Sequence, residues 1–135
     1  MPVVAGSRQP DKDWYQYEQR VARQGGLLGD YARATGPVDA DGIEPALCCF
    51  VDAKYTADPS TTQFRADGPP WIVPFLRQEF ESYRNAVVAS NSTPKAQPRG
   101  LIVRTNEAST HSFFEGILRQ AGFTIGLDGF VQIVQ

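Results

Sequence analysis

The chain has 135 residues, 41% of them apolar and 21% charged, with a formal net charge of −2. That length holds one domain with a core of its own, and the composition is that of an ordinary soluble protein rather than a disordered chain. The slight acidic excess weighs against a plain electrostatic clamp on nucleic acid, no apolar run of about 18 residues is present to span a membrane as a helix, and two adjacent cysteines with one histidine give no basis for a disulfide framework or a structural zinc site.

Residues 1–13 are polar, punctuated by Pro and Gly, and read as a flexible arm or linker without an apolar signal core. The domain is therefore expected over 14–135. A first helix is predicted from Trp14 to Gln24, with Tyr17 and Val21 four apart on one face and Gly25-Gly26 ending it. Leu27–Ala34 is compatible with a first strand, Thr35-Gly36 with a turn, and Pro37–Ile43 with a second strand that Glu44-Pro45 breaks. Ala46–Val51 is the most apolar stretch and reads as a buried central strand running directly into Asp52-Ala53-Lys54-Tyr55. Cys48 and Cys49 fall on opposite faces of such a strand and are read as buried free thiols.

Residues 57–70 are rich in Asp, Pro, Ser, Thr and Gly, a long surface loop of the kind that borders functional sites. Trp71–Ser90 carries the longest helical pattern, through Ile72, Phe75, Leu76, Phe80, Tyr83 and Val87. After a polar linker at 91–98, Leu101–Val103 reads as a short buried strand, Ser109–Ala121 as an amphipathic helix stopped by Gly122, and Phe130–Val134 as a closing strand. The resulting order, α-β-β-β-α-β-α-β, is that of an α/β domain.

The chemistry concentrates at Asp41 and at Asp52-Ala53-Lys54. Side chains alternate across a strand, so Asp52 and Lys54 share a face and Ala53 points the other way. With Asp41 on the neighbouring strand of a hairpin, its carboxylate meets that of Asp52 across the ladder. Two carboxylates and an ammonium then converge on a spot suited to a divalent cation and a water. A hard cation such as Mg²⁺ takes oxygen ligands and keeps several waters, so two carboxylates plus a substrate phosphate suffice. Glu18, beside the buried-face Tyr17 on the first helix, is the best-placed third acid. An isolated Asp followed by Asp-x-Lys is also the pattern of an exposed turn and a charged strand end. Its position at the end of the most apolar strand, where polar groups are costly, favours the metal–phosphate reading.

With those residues in view, the chain resembles the restriction-endonuclease-fold toxin family of type two. The likeness rests on Tyr17-Glu18-Gln19-Arg20-Val21, Ala40-Asp41-Gly42, Val51-Asp52-Ala53-Lys54-Tyr55, Glu79-Phe80 with Tyr83, and Arg99-Gly100-Leu101 with Thr105-Asn106. It implies a restriction-endonuclease-like fold, a mixed central sheet flanked by helices. It further implies a nuclease of DNA more than RNA, dependent on Mg²⁺ with Mn²⁺ as substitute. Asp41, Asp52 and Lys54 are then the catalytic core, with Glu18 assisting Asp41 and Asp52 at the metal. Such toxins are secreted or delivered by bacterial secretion systems, act in the cytoplasm of the target cell, and are held in check by a cognate immunity protein. Two positions depart from the family pattern: Ser82 stands where a basic residue is favoured before the helix tyrosine, and the loop between Asp58 and Trp71 has no clear match.

Tyr55 and Gln78 are taken as substrate-binding candidates bordering the cleft. Trp71 reads as a core or loop-anchoring residue, and Glu79 as a solvent-side helix residue with the option of facing the site. Two other classes stand beside the nuclease: a catalytically silent nucleic-acid-binding domain, and a protein-interaction domain that docks a partner through its acidic strand ends and long loop.

Overall fold

The computed structural model describes residues 13–22, 40–91 and 98–135. The strand expected at Leu27–Ala34 lies outside the described residues, as does nearly all of the N-terminal arm. In chain order the elements are α1 (Asp13–Val21), β1 (Gly42–Glu44), β2 (Cys49–Lys54), α2 (Ile72–Asn91), β3 (Leu101–Thr105), a 3-10 turn (Ala108–Thr110), α3 (His111–Gln120) and β4 (Gly129–Ile133). The four strands form one mixed sheet in the order β1-β2-β3-β4. β1 runs antiparallel to β2, whereas β2, β3 and β4 are mutually parallel. The α/β class expected from the sequence is what the structure has.

The central strand starts three residues later than its apolar run suggested. Pro45–Cys48 folds as a turn, in which Cys48 N–H donates to the Pro45 carbonyl at 3.2 Å and Cys48 takes φ +52°. Without glycine there, the left-handed turn has no compositional mark. Cys49 is buried, and burial foremost pushes its thiol up to about 11, so it stays protonated and inert near neutrality.

Strand alternation sorts the sheet into two faces. Ile43, Phe50, Leu101 and Val103 pack beneath Ile72, Leu76, Phe80, Tyr83 and Val87 of α2 and Phe114, Ile117 and Leu118 of α3. Both parallel crossovers therefore lay their helices on one face. The opposite face is smaller: Cys49, Val51 and Ile102 meet Ala22 at the end of α1. Asp52 and Lys54 have the parity of Phe50 and so belong to the α2 face.

Three contacts fix α1 against the sheet. A Cβ on Gly42 would come within 1.3 Å of the Ala22 carbonyl oxygen, so only glycine lets the chain end of α1 approach β1 this closely. Tyr17 donates its hydroxyl to the Val134 carbonyl at 2.7 Å. Arg104, 5% exposed, donates to the Val21 carbonyl at 2.7 Å, to Glu44 Oε1 at 2.6 Å and to Gln132 Oε1 at 2.9 Å. That one guanidinium ties α1, β1 and β4 to β3, and its forked donors are what make such a buried cation tolerable.

Candidate active site

The site forms at the carboxyl end of β2, where Asp52 and Lys54 leave the sheet beside the parallel ends of β3 and β4. Carboxyl ends of parallel strands are where open α/β sheets place ligands, because the chain there turns outward into loops. The end is braced by Asn106, just past β3. Its Oδ1 accepts from Thr56 N–H at 2.7 Å and its Nδ2 donates to the Thr56 carbonyl at 2.7 Å. The sequence reading gave Asn106 no role, since only the parallel register Lys54↔Thr105 brings residues 56 and 106 together.

Asp41 lies one residue before β1. Gly42 faces Val51, and continuing that register carries Asp41 to Asp52. Asp41 Oδ2 accepts from the backbone N–H of Ala53 at 2.9 Å, and the Asp41 and Asp52 carboxyls lie within hydrogen-bonding reach of each other. Glu18 on α1 is partly buried and near enough for its charge to act on Asp41. The hairpin geometry expected from the sequence is thus present, and Asp41, Asp52 and Lys54 are gathered at one place, with Glu18 acting on Asp41 through its charge.

Asp52 is fully buried, and neither carboxyl oxygen has a well-formed hydrogen bond. Lys54 Nζ stands 2.7 Å from its Oδ2, a close ion-pair contact without hydrogen-bond alignment at that oxygen. The same ammonium lies 2.8 Å from Oε1 of Glu79 and donates to it. Burial, then the charges of Glu79 and Asp41, push the Asp52 carboxyl well above the usual carboxylate range against the pull of Lys54. Burial and then Glu18 likewise raise Asp41. Burial alone would lower Lys54, but Asp52, Glu79 and Asp41 together raise it, so it is held as a charged donor.

Glu79 is the correction here. It was placed first on the solvent side of the long helix, and instead it turns inward to Lys54. Its spacing, three after Leu76 and four before Tyr83, sets it on the flank of the buried face, and that signal was available. Gln78, one residue earlier, is exposed, and its carbonyl accepts from the Ser82 hydroxyl at 3.1 Å. Among the described contacts none joins the Gln78 side chain to the acids or to Lys54. Tyr55 is partly buried, its ring tilted against that of Tyr17 with centroids 5.5 Å apart. Trp71 is 54% exposed and meets Phe75 edge-on, so it is neither core nor a buried anchor.

Two carboxyl groups in contact, one buried and one partly buried, offer only acceptors to one another unless a proton or a cation sits between them. Asp41 and Asp52 are such a pair, and the orphaned oxygens of Asp52 fit a hard cation that binds through one or two carboxylates. Among the described residues no three His, Cys, Asp or Glu side chains already close on one ion. A cation held here would complete its shell from water and a phosphate substrate.

No family model matches the chain, and neither the curated proteins nor the solved structures give a match.

The acid pair sets a pH dependence. Because both folded-state carboxyls are raised above 3.8, the folded chain holds more protons than the unfolded chain from that value upward. The contribution of these two groups should therefore be greatest in acid and fall as pH climbs from the ordinary carboxylate value toward the raised ones, whereas the lowered Glu79 and Glu44 contribute stability that is lost as pH falls. The raised Lys54 acts in the same direction at high pH: its contribution is fully present below 10.5 and is lost as pH rises through its higher folded value. Thermal melts across pH in chelator-treated buffer on the wild type and on Asp41→Asn with Asp52→Asn check this, and a wild-type deficit that does not grow with pH through the mildly acid range would contradict it.

Glu79→Gln removes one carboxylate from Lys54 and leaves Asp52 and Asp41 in place. For the nuclease activity proposed below, the expected result is a loss of rate of about 10- to 100-fold, the size seen when a partner that orients an active-site group is removed, with little change in melting temperature. Steady-state nicking rates beside thermal melts measure both.

Proposed function

We propose that this domain is a restriction-endonuclease-like toxin nuclease that hydrolyses phosphodiester bonds, DNA before RNA, with a divalent cation such as Mg²⁺ or Mn²⁺. One observation carries the reading: a fully buried Asp52 with unsatisfied oxygens, in contact with Asp41 and faced by the ammonium of Lys54. Among the described residues Asp52, Glu79 and Asp41 share the one ammonium of Lys54, and a surplus of desolvated carboxylate over the cation that faces it costs stability unless a further cation or a proton offsets it. The four-stranded mixed sheet with helices on both faces is compatible with a restriction-endonuclease-like core.

Asp41 and Asp52 would hold the cation, with Glu18 at its border. When bound, such a cation polarises a phosphoryl oxygen and lowers the pKa of a coordinated water. The chain's own contributions follow from the contacts above. Lys54, kept charged by its carboxylates, serves as a donor that orients the attacking water and offsets negative charge growing on the phosphate. Glu79 fixes where the Lys54 ammonium points. Ala53 N–H holds Asp41 in register, so the two acids keep their spacing as the substrate arrives. Tyr55 and Gln78 stand at the margin as substrate contacts. Delivery by a bacterial secretion system and inhibition by a cognate immunity protein follow from the family resemblance alone. Among the described residues no helix is long and apolar enough to cross a membrane.

The test is direct. Purified domain is incubated with supercoiled plasmid and Mg²⁺, then with EDTA, beside Asp52→Ala and Lys54→Ala. Nicking that needs Mg²⁺ and is lost in both variants supports the reading. No nicking by the wild type, or nicking that survives both substitutions, would sink it; binding without cleavage would favour the silent nucleic-acid-binding alternative.

A further inference from the structure

The long loop after β2 encloses a concavity of about 250 Å³ lined by Tyr55, Thr56, Asp58, Thr61, Thr62 and Phe64, with Ala57 and Gln63 completing its wall. It begins at the residue after Lys54 and so adjoins the catalytic candidates along the chain. The loop's own bonds hold it open. The Thr56 and Thr62 hydroxyls bond at 3.1 Å, Phe64 N–H donates to Thr62 Oγ1 at 3.3 Å, and Thr61 N–H donates to the Asp58 carbonyl at 3.1 Å. Phe64 is buried against Phe114 of α3, centroids 5.0 Å apart, and Asn106 clamps Thr56 from both sides. A loop of this length that is so fully cross-braced presents a preformed pocket.

The lining selects a class of ligand. No lysine or arginine contributes to it, and Asp58 brings a carboxylate, so a phosphate would be repelled. Hydroxyls, an amide and the partly exposed ring of Tyr55 suit a flat, neutral ring with hydrogen-bonding edges. Asp58 Oδ1 accepts from the N–H and the hydroxyl of Ser60, at 3.0 and 2.8 Å, which leaves Oδ2 as an acceptor for a further N–H. We propose that this pocket receives a nucleobase next to the scissile phosphate, with Tyr55 as stacking wall and Asp58 as acceptor for an exocyclic amino group. Bases stack on aromatic side chains whatever their sequence, and an acceptor at the rim adds a preference for adenine, cytosine or guanine over thymine. A base enters such a pocket only when unpaired, so the substrate is a single strand or a locally opened duplex. This inference rests on the nuclease reading for its phosphate but not for its test.

The experiment measures binding, not cleavage. Fluorescence anisotropy in EDTA compares a labelled oligo(dC), an oligo(dT) and an abasic oligonucleotide of the same length on the wild-type domain. The base-bearing strands are expected to bind roughly ten-fold more tightly than the abasic one, with oligo(dC) ahead of oligo(dT). Ala57→Phe, which narrows the pocket from an exposed position, should remove the advantage of base-bearing over abasic strands. Asp58→Ala should equalise oligo(dC) and oligo(dT) while both still exceed the abasic strand. Equal affinity for base-bearing and abasic strands on the wild type overturns the proposal, as does a base advantage that survives Ala57→Phe. Base-dependent binding without Mg²⁺-dependent nicking would strike the nuclease reading and leave the pocket standing. Nicking without base-dependent binding would strike the pocket alone.

Discussion

Asp52→Asn is expected to lose plasmid nicking by about 10³-fold, the size of one missing electrostatic contact at a reacting centre, and yet to melt higher than the wild type. The two effects share one cause. Asp52 is fully buried with unsatisfied oxygens, and Asp41 and Glu79 both push its carboxyl upward. Around Lys54 the acids outnumber the ammonium, so removing one negative charge relieves a surplus. The Asn amide has the same shape and brings a donor to the Asp41 carboxylate, which turns two facing acceptors into a hydrogen bond. A gain of about 1–2 kcal/mol follows from satisfying a buried group, or roughly 3–8 °C in melting temperature. Nicking rates and thermal melts on the same preparation decide it. Loss of activity with a lower melting temperature would mean that Asp52 serves the fold.

Lys54→Met is expected to be the most destabilising single change at the site. It keeps the long stem and removes the ammonium that, among the described residues, faces Asp52, Glu79 and Asp41. Breaking a buried pair by deleting one partner costs about 3–5 kcal/mol, which would lower the melting temperature by about 10 °C or more. The loss should shrink in mildly acidic buffer, because carboxyls with raised folded-state pKa values take up protons there and no longer need the ammonium. Denaturant titrations of wild type and variant in neutral and mildly acidic buffer test this. A deficit of equal size in both buffers would show that the stem's packing, rather than its charge, is what Lys54 contributes.

Much of the site was legible because its rules are local. Alternation along β2 sets Asp52 with Lys54, and the β1–β2 register sets Asp41 opposite Asp52, so three residues within a short span define their own geometry. What was missed depends on where distant elements land. Glu79 reaches Lys54 across 25 residues, and which flank of α2 meets β2 is a packing outcome that helix periodicity only narrows. By sequence, Arg104 is simply the arginine after Leu101–Val103. Its partners Val21, Glu44 and Gln132 lie 83, 60 and 28 residues away, and nothing in its neighbourhood marks it as the buried tie between α1 and the sheet. The start of β2 was misplaced because Cys48 adopts a left-handed turn without glycine. Trp71 looked like core by residue type, yet it precedes α2 and stays exposed.

The central claim is that Asp41 and Asp52 together form a seat for a divalent cation. Calorimetric titration of Mn²⁺ into the metal-free domain, repeated on Asp52→Asn, measures this without any substrate. The account predicts one saturable site in the wild type that is lost in the variant. No saturable binding to the wild type, or an isotherm unchanged by Asp52→Asn, would contradict it.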